Sequence, residues 1–214
     1  MVAPESRAAE AGAAVLEDGG NAVEAAIATA ASLSATYPHM TGIGGDAFWL
    51  VARPDEAPRA VMGCGQSGEE FSRARYEGRH TIPARGPNAA ITMAGAVGSW
   101  AHALEIAGGG RLGWKRLMRD AVELAAESEI APSLKRAVDA KRAELEDISG
   151  WADTFASKST ILRRPNFAAS LSILGEGGPD AFYAGPLRSR LLEDFEATGI
   201  DLKEADFARF ETKV

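Results

Sequence analysis

One cysteine in 214 residues, Cys64, excludes an internal disulfide framework and any zinc site built on thiolates. The three histidines, His39, His80 and His102, lie far apart with no ligand spacing, so neither a metal nor a cofactor is expected. No apolar run approaches the ~18 residues that a membrane span needs, and the first residues lack the charged and apolar pattern of a leader. The default expectation is therefore a cytoplasmic protein with no membrane partner, or a periplasmic one if a leader was removed before this numbering begins. Basic patches are missing too. The net charge is −7, with acids spread along helices, which excludes a nucleic-acid partner. Apart from Glu176-Gly177-Gly178 echoing Asp18-Gly19-Gly20, there is no internal repeat or low-complexity tract.

What is present suffices for a core: 46% of residues are apolar, enough for one domain over 1–214. The chain is organised around residues 37–51, Tyr-Pro-His-Met-Thr-Gly-Ile-Gly-Gly-Asp-Ala-Phe-Trp-Leu-Val. An Ala-rich helix reaches this stretch, Pro38 stops it, Gly42, Gly44 and Gly45 turn the chain, and an apolar run over 47–52 leaves as a buried strand. Gly42-Ile43-Gly44-Gly45-Asp46-Ala47 matches the dinucleotide pattern letter for letter. That site needs a strand before its glycines and a helix after them, and here the flanks are reversed, so the nucleotide reading is rejected. Glycines in this order suit a tight turn where backbone approaches other backbone or a small polar ligand. Packing is the preferred role for Gly42 to Asp46, with the Asp46 carboxylate accepting backbone N–H bonds in its own turn.

The spacing predicts a first helix over 6–18, with Ala9, Ala13 and Leu16 on its apolar side and Gly19-Gly20 ending it. Asn21 caps a second helix with Glu24 at N3. Its apolar stripe is Val23, Ile27, Ala30, Ala31 and Leu33, and its many alanines suggest burial against a flat neighbour such as a sheet. A turn over 53–58 joins the central strand to a partner over 59–62, delivering the glycine-rich loop Gly63-Cys64-Gly65-Gln66-Ser67-Gly68. A further strand is expected over 89–93, then helices over 99–106, 114–128 (Leu117, Val122, Leu124 and Ala125 inward), 132–147, 167–174, 179–183, 187–198 and 203–210. Three or four strands against seven or eight helices is an unbalanced ratio, so the sheet is expected to borrow strands from another segment. Phe207, Phe210 and Val214 read as running on into something further.

Glu10-Ala11-Gly12 and Leu16-Glu17-Asp18-Gly19-Gly20-Asn21-Ala22-Val23-Glu24-Ala25-Ala26, followed by Tyr37-Pro38-His39 and Gly42-Ile43-Gly44-Gly45-Asp46-Ala47-Phe48, resemble the gamma-glutamyltransferase family in residues and order. Gly95-Ala96-Val97 before Trp100, and Gly178-Pro179-Asp180-Ala181-Phe182-Tyr183-Ala184-Gly185, extend the resemblance over nearly the whole chain. It implies an α+β fold, the αββα sandwich of N-terminal-nucleophile hydrolases, of which this chain supplies helices and a few strands. It also implies a precursor that cuts itself into a large and a small subunit, the new N-terminal threonine being nucleophile and its own α-amine the general base. This chain resembles the N-terminal portion of the large subunit only. The Pro-Ser-Ser-Gly-Gly loop and the nucleophile are absent, so no catalytic residue is assigned here, Thr41 and Thr92 included. The implied partners are the small subunit and a small amide substrate, with a higher oligomer left open.

Members that act on gamma-glutamyl compounds carry an Asp-Phe-Arg-Glu-like stretch after the second strand, whose arginine pairs with the substrate α-carboxylate. Gly63-Cys64-Gly65-Gln66 stands there instead. The chain thus resembles the branch containing oxamate amidohydrolase, with class IV cephalosporin acylases as relatives; gamma-glutamyl compounds and glutaryl-cephalosporin-type amides are the alternative substrates. A non-catalytic binding module of the same fold is the other reading. The substrate-binding candidates are Gly65, Gln66 and Arg85. Gln66 either orients a ligand amide or closes its loop, and Arg85 is either a ligand cation or a solvated loop residue. Cys64 reads as a small buried hydrophobe, His39 as a hydrogen-bond donor to the glycine turn, and Trp49, Trp100, Trp114 and Trp151 as anchors.

Overall fold

The computed structural model describes residues 1–148, 150–155 and 159–213. In chain order the elements are α1 (Ser6–Glu17), α2 (Ala22–Thr36), β1 (Ala47–Val51), β2 (Arg59–Gly63), a 3-10 turn (Arg73–Tyr76), α3 (Ala96–Ile106), α4 (Trp114–Ala126), β3 (Ser128–Glu129), α5 (Pro132–Leu145), α6 (Trp151–Phe155), β4 (Ile161–Leu162), α7 (Pro165–Tyr183), α8 (Pro186–Thr198) and α9 (Glu204–Ala208). They form two compact units, Met1–Gly42 with Gly110–Glu176, and Ile43–Gly109 with Gly177–Val214. Val214 itself, one of the three residues expected to run on, lies outside the described residues.

In the first unit α2 is the central element, with ten of its fifteen residues buried. Its neighbours are the helices α1 and α4, which corrects the expected sheet. A surface of Ala, Ser and Thr lets any neighbour come close, and α1 exploits this at Gly12, where a Cβ would overlap the Thr29 hydroxyl. The stripe of α1 is also rotated from expectation: Ala8, Ala11, Gly12 and Val15 are buried, while Leu16 is 43% exposed. On α4, Leu117 and Ala125 are inward as expected, but Met118 and Ala121 replace Val122 and Leu124, which are half-buried.

The predicted N-terminus of α2 is present. Asn21 Oδ1 accepts from the N–H groups of Val23 (2.9 Å) and Glu24 (3.0 Å), and Glu24 Oε2 accepts from Asn21 N–H (2.8 Å). The other oxygen of Glu24, which is fully buried, accepts from the N–H groups of Arg111 (2.8 Å) and Leu112 (2.5 Å). At the far end of α2, Arg164 donates to the carbonyls of Ser34 and Ala35, both at 2.6 Å, and lies over the Phe167 ring. A cation on the last carbonyls suits the helix dipole, although burial pulls its pKa down to about 10. The two-residue strands β3 and β4, unforeseen in sequence, pair antiparallel beside a small cluster of Ala131, Leu134 and Leu162.

In the second unit β1 and β2 pair antiparallel as expected, Trp49 opposite Val61 and Val51 opposite Arg59. One face of this ribbon packs on α3, with Trp49 Nε1 donating to Ser99 Oγ at 3.0 Å. The other face carries Phe48 (69% exposed), Leu50 (76%) and Met62 (42%) in the open. Met62 exchanges both backbone hydrogen bonds with Lys213, which continues the ribbon on the β2 edge. The strand expected over 89–93 is absent; Thr92 makes a single bridge to Ser67, because the chain turns away at Gly68, whose carbonyl accepts from Phe71 N–H. The helices expected over 167–174 and 179–183 are the two halves of α7, broken at Gly178 (φ 60, ψ −158), a conformation that only glycine adopts readily. No helix among the described residues is long and apolar enough to cross a membrane.

Candidate functional site

The glycine turn ends at Gly45, whose carbonyl accepts from Gly95 N–H (3.0 Å) and Ala96 N–H (2.9 Å), two of the orphan donors at the start of α3. A third, Gly98 N–H, donates to the Tyr183 hydroxyl at 2.9 Å, and that hydroxyl donates to the Ala94 carbonyl at 2.9 Å. Tyr183 thereby stands inside the first turn of α3 as its cap. Its ring stacks on Phe210 at 4.9 Å, and burial pushes the phenol's pKa up, in spite of the bond from Gly98 N–H, so it stays a neutral hydroxyl.

Beside this cap three backbones touch. A Cβ at Gly65 would fall inside the Met93 carbonyl oxygen, one at Gly95 inside the Gly63 carbonyl oxygen, and one at Gly63 against Ser99 Cβ. Gly63, Gly65 and Gly95 form a clasp that admits no side chain at any of the three positions. The Gln66 carbonyl accepts from Met93 N–H at 2.8 Å, extending the contact by one residue.

The clasp is anchored to α9 through Asp206, fully buried, which accepts from the N–H groups of Lys203 (2.8 Å) and Glu69 (2.9 Å) and from Arg209 (2.5 Å). Burial alone raises its pKa, but these three donors outweigh that and hold it below the ordinary carboxylate value. A depressed folded-state pKa contributes stability that is complete above the unfolded value, about 4, and is lost as pH falls below it. The Tm difference between the intact wild-type protein and Asp206→Asn is accordingly expected to shrink between about pH 6 and pH 3. A difference that stays constant over that range would remove the charge from the explanation.

Of the residues singled out in sequence, Gly45, Gly65 and Gln66 all meet residues 93–96. The Gln66 side chain donates from Nε2 to the Asp206 carbonyl at 3.1 Å, so the loop-closing role is filled. At Gly42 and Gly44 an added Cβ would have nothing within 4 Å and neither φ is positive, so the close backbone approach expected there is found at Gly63, Gly65 and Gly95 instead. Asp46 is exposed and makes no side-chain hydrogen bond among the described residues, which corrects the bond expected in its own turn. His39 lies against Tyr37 (ring centroids 4.2 Å), and its Nδ1 is buried without a partner rather than bonded to the glycine turn; burial lowers its pKa. Arg85 is exposed on the loop before α3, and Cys64 is half-buried within the clasp.

Sequence reasoning passed over Tyr183, Asp206 and Arg75. Arg75 joins the 3-10 turn to Asp201, to the Pro87 carbonyl (3.1 Å) and to Asn88 (3.2 Å), with Phe71 beneath its guanidinium. Only Asp206 carried a local signal, an acidic residue three positions into a short helix. No three of the His, Cys, Asp and Glu side chains among the described residues are grouped to hold a metal ion.

The sequence model described as gamma-glutamyltranspeptidase matches residues 8–214. The oxamate amidohydrolase proenzyme of Klebsiella pneumoniae is 36% identical over 215 residues, covering 96% of this chain and 41% of that protein. Among solved structures, a gamma-glutamyltranspeptidase from Pseudomonas nitroreducens superposes with a TM-score of 0.90 at 25% identity, over 100% of this chain and 65% of that one. A cephalosporin acylase from Bacillus halodurans superposes with a TM-score of 0.84 at 28% identity, over 96% of this chain and 41% of that one. These likenesses assign the elements above to the N-terminal part of the αββα sandwich, the chain spanning less than half the length of the curated relative.

Proposed function

The chain belongs to the gamma-glutamyltranspeptidase family, and from that premise we propose that it is the N-terminal part of the large subunit of a self-processing hydrolase that cleaves a small amide. The nucleophile is then an N-terminal threonine on the small subunit of the same precursor: its hydroxyl attacks the amide carbonyl, the C–N bond breaks and the nitrogen leaves as ammonia or amine with the proton taken from the hydroxyl, and water then hydrolyses the acyl ester to free acid and threonine. The observation that carries this reading is the bare face of the ribbon. Phe48, Leu50 and Met62 are large apolar side chains on an ordered β surface, one layer of a sandwich whose second layer comes from elsewhere.

The clasp bears on the substrate. Where gamma-glutamyl enzymes need a guanidinium, Gly65 leaves no room for any Cβ, which favours a small amide of the oxamate kind over gamma-glutamyl amino acids or glutaryl-cephalosporins. Gly65 then meets the ligand through its backbone, Gln66 through Oε1, and Arg85 supplies the cation. Intact mass spectrometry with N-terminal sequencing of the full-length product, followed by assays on oxamate, glutathione and glutaryl amides in that order, tests the reading. A second chain beginning with threonine and turnover of oxamate are expected, with no turnover by residues 1–214 alone. A full-length product that is never cut and hydrolyses none of the three is instead a non-catalytic module of the same fold.

A further inference from the structure

The Gln66 side chain, next to Gly65 of the clasp, is tied down at one end only. Its Nε2 donates to the Asp206 carbonyl at 3.1 Å. A carbonyl can only accept, so this bond decides which end of the amide turns toward Asp206 and which turns away. Oε1, the end turned away, has no partner among the described residues and, unlike His39 Nδ1, is not enclosed. The backbone that carries it is held. The Gln66 carbonyl accepts from Met93 N–H at 2.8 Å, Glu69 N–H donates to the Asp206 carboxylate at 2.9 Å, and a Cβ at Gly68 would lie 2.7 Å from the Asp201 carbonyl oxygen. The free oxygen therefore stands on a segment pinned to Met93 and to residues 201–206, which is what a selective contact needs.

A fixed acceptor reads the difference between an amide and a carboxylate. The N–H₂ group of oxamate donates, whereas the carboxylate oxygen that takes its place after hydrolysis, when ammonia has left, only accepts. We infer that Gln66 Oε1 accepts from the amide N–H₂ group of the substrate, so that one residue favours the amide and opposes its hydrolysis product, oxalate. The inference rests on the amide-hydrolase reading for its substrate and adds a specificity-determining role at a single atom. Charge works the other way: a cation such as Arg85 attracts the dianion oxalate more strongly than the monoanion oxamate. A preference for oxamate thus isolates the hydrogen bond, because acceptor facing acceptor is the one term that penalises the product.

The test compares KM for oxamate with the inhibition constant of oxalate in the full-length processed enzyme, for wild type, Gln66→Met and Gln66→Glu. Gln66→Met keeps the length of the side chain and removes both polar ends, while Gln66→Glu keeps acceptor oxygens and loses the donor to Asp206. The ratio of the oxalate constant to the oxamate KM is expected to fall about tenfold in Gln66→Met, the weight of one hydrogen bond. In Gln66→Glu both constants are expected to rise through charge repulsion, and the ratio is expected not to fall. A ratio unchanged in Gln66→Met overturns the inference, because a side chain that merely closes its loop weakens both ligands alike. A ratio that falls equally in the two variants overturns it as well. If the full-length product turns over no amide, dissociation constants of oxamate and oxalate from calorimetry replace the kinetic pair. A tenfold loss of preference in Gln66→Met then keeps the role of Gln66 while the hydrolase reading falls. Absence of oxamate binding, or a preference unmoved by Gln66→Met, removes both.

Discussion

Gly65→Ala is expected to leave the intact protein insoluble, or to lower its Tm by at least about 10 °C, whereas Gly44→Ala is expected to change stability by no more than about 0.5 kcal/mol. The two glycines lie on neighbouring segments of one unit and look equally important in sequence. They differ in what surrounds them. A methyl group at Gly65 meets the backbone carbonyl of Met93, and a backbone atom has no rotamer by which to withdraw. The clasp must then open, which breaks the Met93 to Gln66 bond and strains the start of α3, where Gly95 and Ala96 donate to Gly45. Gly44 has open space around it and an ordinary φ. Thermal unfolding of both variants decides the structural question, and activity adds a second. Loss of turnover in Gly44→Ala at unchanged Tm would mean that the turn serves a ligand or a partner, since nothing in its own unit requires the glycine.

That contrast also marks what could be read from residues alone. Local chemistry was legible: the Asn21 and Glu24 cap, the β1 and β2 ribbon and the break of α7 before Pro179 each follow from short-range rules that act within a few residues. Facing was not. In α1, alanines lie on both sides of the helix, so periodicity chose Ala9 and Ala13 where burial chose Ala8, Ala11 and Val15. A helix of small residues has nearly the same polarity in every direction, and α2 consequently gave no sign that its neighbours are helices. The glycines of the clasp were noticed only as a loop, because Gly63, Gly65 and Gly95 acquire their meaning from one another across about thirty positions. Tyr183 is a similar case: its hydroxyl completes a helix that begins far upstream, which no window around it contains.

The family resemblance supplied what local reading lacked, and it did so most securely for the fold. For substrate it worked through a departure, glycine where an arginine is otherwise needed, and the clasp turns that departure into a steric statement. For the proposed small-amide substrate, a cation would then have to come from outside the clasp, and Arg85 is the residue to vary.

The second large effect is expected at Glu24. Its carboxylate accepts three backbone N–H groups, from Asn21, Arg111 and Leu112, in a fully buried position, so it joins the start of α2 to the chain entering α4. Hydrogen bonds to a buried charged acceptor are worth about 1.5–3 kcal/mol each, and donors left without an acceptor carry the desolvation penalty in full. Glu24→Ala is expected to cost about 4 kcal/mol and to lower the Tm of the intact protein by about 10 °C. Glu24→Gln preserves shape and one acceptor oxygen for Arg111 and Leu112, but turns an amide N–H₂ toward the N–H of Asn21, donor against donor; about half the loss is expected. The order Ala worse than Gln, with Gln still well below wild type, is what a three-donor site predicts in calorimetry. A Gln variant equal to wild type would mean that the bond to Asn21 contributes nothing and that Glu24 acts only through the residues before α4.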